Sequence, residues 1–235
     1  MSMATRLLKD TKRAFIEYHK KYPQRASEVG ELLAYLIAIE YLQAAQVASK
    51  MALKTNGNMP VHGLDGIHAT FENEIMTLYF LESKLSSSAN SGVKEYAESV
   101  AGFGTNRKQY LVEYEILSDL GNLDALSDED KRTALEYLDV YGPQKSQRIE
   151  RSVGVVCYTE SKHFNNKLEK SKATAPTEHE AHFKSNYAAE FEHHQDAAIK
   201  HLKDNGVDIS DCEVFFVAVP DVNRLRELFY EVMNG

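Results

Sequence analysis

The sequence predicts a mixed α/β fold, a small central mixed β-sheet of about four strands flanked by helices. Three observations lead there. Four apolar runs, "GIHATF", "IMTLYFLESKL", "SVGVVCYTE" and "DCEVFFVAVP", are rich in the β-branched and aromatic residues that suit a pleated surface. The first two are joined by only "ENE", a hairpin spacing, whereas the later ones alternate with helical patterns. No internal repeat or long linker divides the chain, so one domain over 1–235, with N-terminal helices over 1–53, is the simplest organisation.

Residues 3–21 and 26–53 read as two helices separated by "YPQRAS", where Pro23 breaks the first. The second carries Leu32, Leu33, Leu36, Ile37 and Ile39 among alanines with almost no polar face at its centre, so burial on several sides is expected. Ser27 is its candidate N-cap, with Glu28 and Glu31 in the first turns. After a loop at "NGNMP" the hairpin strands run to Phe71 and onward from Ile75. Residues 90–119 look helical with an interruption at "GFGTN", and "SDEDKRTALEYL" opens a further helix with a capping box from Ser127 to Asp130. A valine-rich strand covers 152–160, a long helix 177–206 closes on Gly206, and a last strand and helix cover 211–220 and 221–233.

Composition narrows the function classes. Hydrophobic residues make up 43% of the 235 and aromatics 10%, enough for a sizeable core. With twelve glycines and five prolines the chain is neither collagen-like nor of low complexity. The longest apolar run, "LLAYLIAIEYL", carries Glu40 and is too short to span a bilayer, and the N-terminal residues have no signal-like apolar region, so a cytoplasmic protein is expected. Cys157 and Cys212 sit in apolar runs and read as two buried thiols; without a Cys-x-x-Cys pattern there is no case for structural zinc. The sequence has no glycine-rich phosphate loop and no Gly-x-Ser-x-Gly elbow, which argues against nucleotide hydrolysis. The formal charge of −8 is uneven: residues 1–25 carry seven Lys/Arg against two Asp/Glu, and residues 144–172 seven against three. These two basic segments can form a surface for a polyanion, or equally the solvated faces of helices, while the acidic remainder argues for weak binding by this chain alone.

The stretch "GLDGIHATFENEIMTLYFLESKL" holds the strongest chemical signal. Alternation along the second hairpin strand puts Leu78, Phe80, Glu82 and Lys84 on one face, and Thr77, Tyr79, Leu81, Ser83 and Leu85 on the other. Asp65 precedes the first hairpin strand, where its carboxylate can come beside Glu82. Two carboxylates suit a hard cation such as Mg²⁺, with Mn²⁺ as the alternative, and a neighbouring lysine can orient an attacking water or offset charge on a phosphate. Asp65 and Glu82 are therefore the candidate metal ligands and Lys84 the candidate catalytic lysine; the competing reading is a strand-end ion pair. A second "ESK" at Glu160, Ser161 and Lys162 also follows a strand, without an aspartate at hairpin distance. The helix over 177–206 is rich in histidine (His179, His182, His193, His194, His201), and Glu190-x-x-His193 matches half of a di-iron carboxylate–histidine pattern whose other half is not evident. His62 and His68 flank Asp65, and Ser86, Ser87 and Ser88 offer hydroxyls to a phosphate or simply form a polar turn.

These motifs resemble the PD-(D/E)xK nuclease superfamily, with Asp65 as the first acid and Glu82-Ser83-Lys84 as the E-x-K element; Leu64 stands where the superfamily's proline is usual. More narrowly, "LYFLESKLSSSANSGVKEYAESV" and "VFFVAVPDVNRLRELFYEVM" look like the nuclease subunit of the Hachiman anti-phage defence system, the HamA type. The resemblance implies a restriction-endonuclease-like fold and a Mg²⁺-dependent DNase that works with, and is restrained by, a helicase encoded beside it. It also implies a further acid on the helix before the hairpin. Glu31 is preferred over Glu28 for that place, although an acid there also favours the helix dipole. A non-catalytic binding subunit of the same fold is the rival reading.

Overall fold

The computed structural model describes residues 27–49, 64–73, 75–105, 132, 136, 148–165 and 176–234. Its centre is a five-stranded sheet in the order β1 (Ala45–Ser49), β2 (Gly66–Glu72), β3 (Ile75–Ser86), β4 (Arg148–Thr159), β5 (Cys212–Val219). β1, β2 and β3 form an antiparallel meander, and β4 and β5 continue it in parallel to β3. The helices are α1 (Glu28–Glu40), α2 (Ala89–Thr105), α3 (Ser161–Asn165), α4 (Pro176–Ala188), α5 (Phe191–Asp204) and α6 (Val222–Asn234). The mixed α/β class thus holds, with five strands rather than about four.

Two apolar layers fix the sheet. On one face Ala34, Ile37 and Ala38 of α1 pack on Leu81, Val153 and Val155, with Tyr79, Phe215 and Val217 at the margin. On the other, Val93, Tyr96 and Ala97 of α2 and Ala198 and Leu202 of α5 pack on Val156 and Tyr158, with Val214, Phe216 and Ala218 beside them. Valines at 153, 155 and 156 serve both layers because neighbouring strand residues point to opposite faces. Burying each such side chain contributes about 1.5–3 kcal/mol. Gly154 lets α2 approach closely: a Cβ there would lie 2.9 Å from atoms of the Tyr96 ring. Tyr96, fully buried, keeps its hydroxyl satisfied by Ser152 Oγ at 2.8 Å.

Two helix expectations are corrected. The segment expected to be helical over 26–53 stops at Glu40, Gln43 takes a left-handed φ of 50°, and Ala45–Ser49 becomes the edge strand β1. Alanine and glutamine favour helix locally, but pairing with β2, with a register shift between Gln46 and Ala48, decides the outcome. The long helix over 177–206 is two helices, broken at residues 189–190, where Glu190 N–H bonds to Tyr187 O. Neither glycine nor proline marks that break; the acid turns there to meet α3. At the far end Gly206, with φ 71°, closes α5 as expected: its N–H bonds to Lys203 O and that of Val207 to Leu202 O, a Schellman pair. Asp221 caps α6 through the N–H groups of Asn223 and Arg224. The helix expected over 3–21, the loop at 56–60, the helical piece at 106–119, the one from Ser127 apart from the helical Arg132 and Glu136, His62 and the basic segment 1–25 lie outside the described residues.

Candidate functional site

The end of the β2–β3 hairpin gathers the expected residues. The turn at Asn73, with φ 52°, closes the hairpin, and its register pairs Gly66 with Leu81. Asp65, one residue before β2, donates its N–H to Leu81 O at 2.9 Å, the residue that Gly66 already pairs with, so the regular register ends at Gly66 and Asp65 lies beside the strand segment that carries Glu82. Glu82 and Lys84 share a face, and Lys84 Nζ donates to Glu82 Oε1 at 2.6 Å and to Ser99 Oγ of α2 at 2.9 Å. The pair is largely withdrawn from solvent, 13% and 18% exposed.

The side chains then part. Asp65 Oδ2 accepts both the Ser83 N–H, at 2.7 Å, and the Ser83 hydroxyl, at 2.5 Å. Ser83 belongs to the α1 side of the sheet: a Cβ on Gly30 of α1 would lie 2.9 Å from its Oγ. Glu82 and Lys84 belong to the α2 side, over Tyr96 and opposite Gly154. Asp65 is therefore brought next to the "ESK" element, but its carboxylate is held by the serine between the two charged residues. Burial first, then neighbouring groups including the Glu82 charge, push the Tyr96 phenol far above its usual range.

Glu31 and Asp65 line one cavity of about 160 Å³ together with His68, Tyr35, Gln46 and Leu81. Both acids are buried, and Ser27 Oγ donates to Glu31 Oε1 at 3.0 Å. Glu28 is instead taken by the Tyr230 hydroxyl of α6, away from that cavity. His68 is buried, its Nδ1 lies 3.0 Å from Ala44 O, and burial lowers its pKa. The donor set, Asp65 and Glu82 with Glu31 near, is all oxygen and fits a hard cation, which needs only one or two carboxylates besides water and substrate oxygens. Among the described residues, however, no three ligand atoms of these acids converge within 4.8 Å.

Other sequence signals resolve differently. Ser88 caps α2 through Ser91, so the serine run is a helix start, and Ser86 is buried. Within the basic segment 144–172, Arg148 pairs with Glu150, Arg151 with Asp211 and Lys162 with Glu190, so these three cations are neutralised locally. Cys157 is buried, which pushes its thiol up to about 11, whereas Cys212 is only half-buried rather than the second buried thiol expected. His193 is exposed, and Glu190 turns from it to Lys162 and His163. The sequence reading missed Ser99, which holds Lys84, and Ser83, which holds Asp65; a polar residue flanked by two site residues was the available signal for Ser83.

No curated protein and no solved structure gives a significant match to the chain. One family model, HamA, matches residues 3–233, nearly the full length. A match of that extent covers the hairpin, the sheet and every helix described above. The chain belongs to the HamA family of the Hachiman anti-phage defence system.

Proposed function

We propose that the protein is a divalent-metal-dependent deoxyribonuclease that acts with, and is held in check by, a helicase partner. The observation that supports this reading is the strand end itself, where Asp65, tied to Leu81 O and Ser83, lies next in line to Glu82, with Lys84 fixed 2.6 Å from the latter. Asp65 and Glu82 would hold Mg²⁺ or Mn²⁺, and Glu31, in the same cavity as Asp65, would assist. A bound ion would lower the pKa of its water and offset charge building on the phosphate. Ser83 keeps Asp65 within reach of the strand end, and Ser99 keeps the Lys84 ammonium oriented, so less side-chain freedom remains to be lost when a phosphate arrives. Lys84, as a cation, orients the attacking water or stabilises the phosphorane charge.

The charge distribution supports the regulatory half. A net charge of −8, with Arg148, Arg151 and Lys162 already paired, gives the chain little to neutralise phosphates, so DNA has to be delivered. A second reading, a non-catalytic subunit, is favoured by the direct Glu82–Lys84 pair and by the Asp65–Ser83 bonds, which together satisfy these groups without an ion. Cleavage of plasmid and single-stranded DNA, with and without the neighbouring helicase and with Mg²⁺ or chelator, separates the two. Mg²⁺-dependent cutting lost in folded Glu82→Ala and Lys84→Ala proteins supports the nuclease. Tight, salt-sensitive DNA binding by the isolated chain would undo the proposed restraint.

A further inference from the structure

A second cluster lies beyond the carboxyl end of β4, where the repeated "ESK" falls. Glu160, His163 and Glu190 each offer a ligand atom within 4.8 Å of the others, a convergence that no other His/Cys/Asp/Glu group reaches among the described residues. Three elements supply them: the last residue before α3, the middle of α3, and the break between α4 and α5.

The imidazole of His163 is the informative group. It is only 6% exposed, yet among the described residues neither ring nitrogen makes a hydrogen bond. Nε2 lies 3.1 Å from Glu190 Oε2, close enough to touch but poorly directed for an N–H bond. A buried polar group left in that condition costs free energy comparable to its desolvation. The spacing suits coordination better: adjacent ligands on one cation, with bonds of about 2.1 Å, stand roughly 3.0–3.4 Å apart.

Each carboxylate is also oriented as a ligand would be. Glu160 Oε1 accepts the N–H groups of Lys162 at 2.9 Å and His163 at 3.2 Å, and Oε2 has no bond among the described residues. Glu190 Oε1 takes the Lys162 ammonium and Oε2 faces His163. One oxygen of each is thus fixed by the chain, and the Glu190 oxygen next to the imidazole is not the one that the lysine holds, the division seen where outer bonds aim metal ligands. Phe183 and Tyr187 wall the site with ring centroids 6.5 and 6.4 Å from His163. Tyr158 ties Tyr187 to His194 through its hydroxyl, at 3.0 and 2.9 Å.

We propose that Glu160, His163 and Glu190 form a binding site for a transition-metal dication, Zn²⁺ or Mn²⁺, that clips α3 to the α4–α5 junction. An imidazole nitrogen beside two carboxylates selects such ions over Mg²⁺ and Ca²⁺. The site is separate from Asp65 and Glu82, and its existence does not depend on the nuclease reading. Lys162 competes with the ion for Glu190, so it is an antagonist of binding rather than a ligand.

The test uses the full chain carrying Glu82→Ala, stripped with chelator and titrated with Zn²⁺ by calorimetry and with Mn²⁺ by electron paramagnetic resonance. One equivalent of Zn²⁺ should bind and raise Tm. His163→Gln and Glu190→Gln should each weaken binding at least 10-fold and remove the Tm rise, and Lys162→Met should tighten it. If His163→Gln fails to fold, Glu190→Gln, at a more exposed position, decides alone. A background protein that takes up no Zn²⁺, or folded variants that bind it as the background does, would overturn the proposal.

Discussion

The same tripeptide, Glu-Ser-Lys, stands near the ends of two neighbouring parallel strands and is used in opposite ways. At 82–84 the strand continues to Ser86, so the pleat turns Glu82 and Lys84 to one side as a 2.6 Å ion pair and gives Ser83 to the other side, where it holds Asp65. At 160–162 the strand has ended at Thr159, and Ser161 begins α3. Glu160 there turns back to cap two N–H groups, and Lys162 leaves it for Glu190, which the chain brings from 28 residues away. The lesson is that the backbone state, not the residue set, decides which groups face one another.

Breaking the comparison at its two lysines should give the largest contrast. Lys84→Met should lower DNA cleavage about 100-fold or more, the scale of a positioned catalytic group, while Lys162→Met leaves it unchanged. Equal losses would show that the strand setting of the first copy confers nothing. The next effect is structural. Gly154→Ala, opposite Glu82, drives a Cβ into the Tyr96 ring and should cost about 1–3 kcal/mol in urea unfolding. Gly102→Ala, in α2 with no described atom within 4 Å of its added Cβ, should gain about 0.5–1 kcal/mol instead. Glu160→Ala removes the acceptor for the first N–H groups of α3 and should cost about 1 kcal/mol, a capping loss that Glu82, inside a strand, does not share.

A smaller effect distinguishes the hairpin from the rest of the sheet by pH. Burial holds the His68 pKa below 6.5, so the unfolded chain takes up a proton there before the folded one does. Stability from this group is complete above pH 6.5 and is lost as pH falls through the lower folded value. His68→Asn should flatten that part of the stability profile in denaturant titrations from pH 7 to 5. Smallest of all, Lys162→Met should leave the unfolding midpoint in place, since its side chain is 72% exposed and its ammonium solvated.

Much of the architecture was legible because it is written in local period. The two-residue alternation of β3 identified the hairpin, its inward residues and the common face of Glu82 and Lys84, and the valine run identified β4. Capping chemistry was equally local, and Gly206 closes α5 as its position implied. β1 was not legible, because Ala45, Ala48 and Gln46 prefer helix until β2 offers its hydrogen bonds. Nor was the break before α5, which has no glycine or proline and follows from contacts of Glu190 with α3.

The sequence by itself therefore determined the fold class, the hairpin and the candidate residues, since strand period and charge placement depend on near neighbours alone. Only the tertiary structure decided their partners. It joined Lys84 to Ser99, Asp65 to Ser83 rather than Glu82, and Glu31 rather than Glu28 to the cavity beside Asp65. It also set Glu160, His163 and Glu190 together across a 30-residue separation. Side-chain chemistry is short-ranged, so which groups meet depends on how distant segments pack, and no local pattern records that.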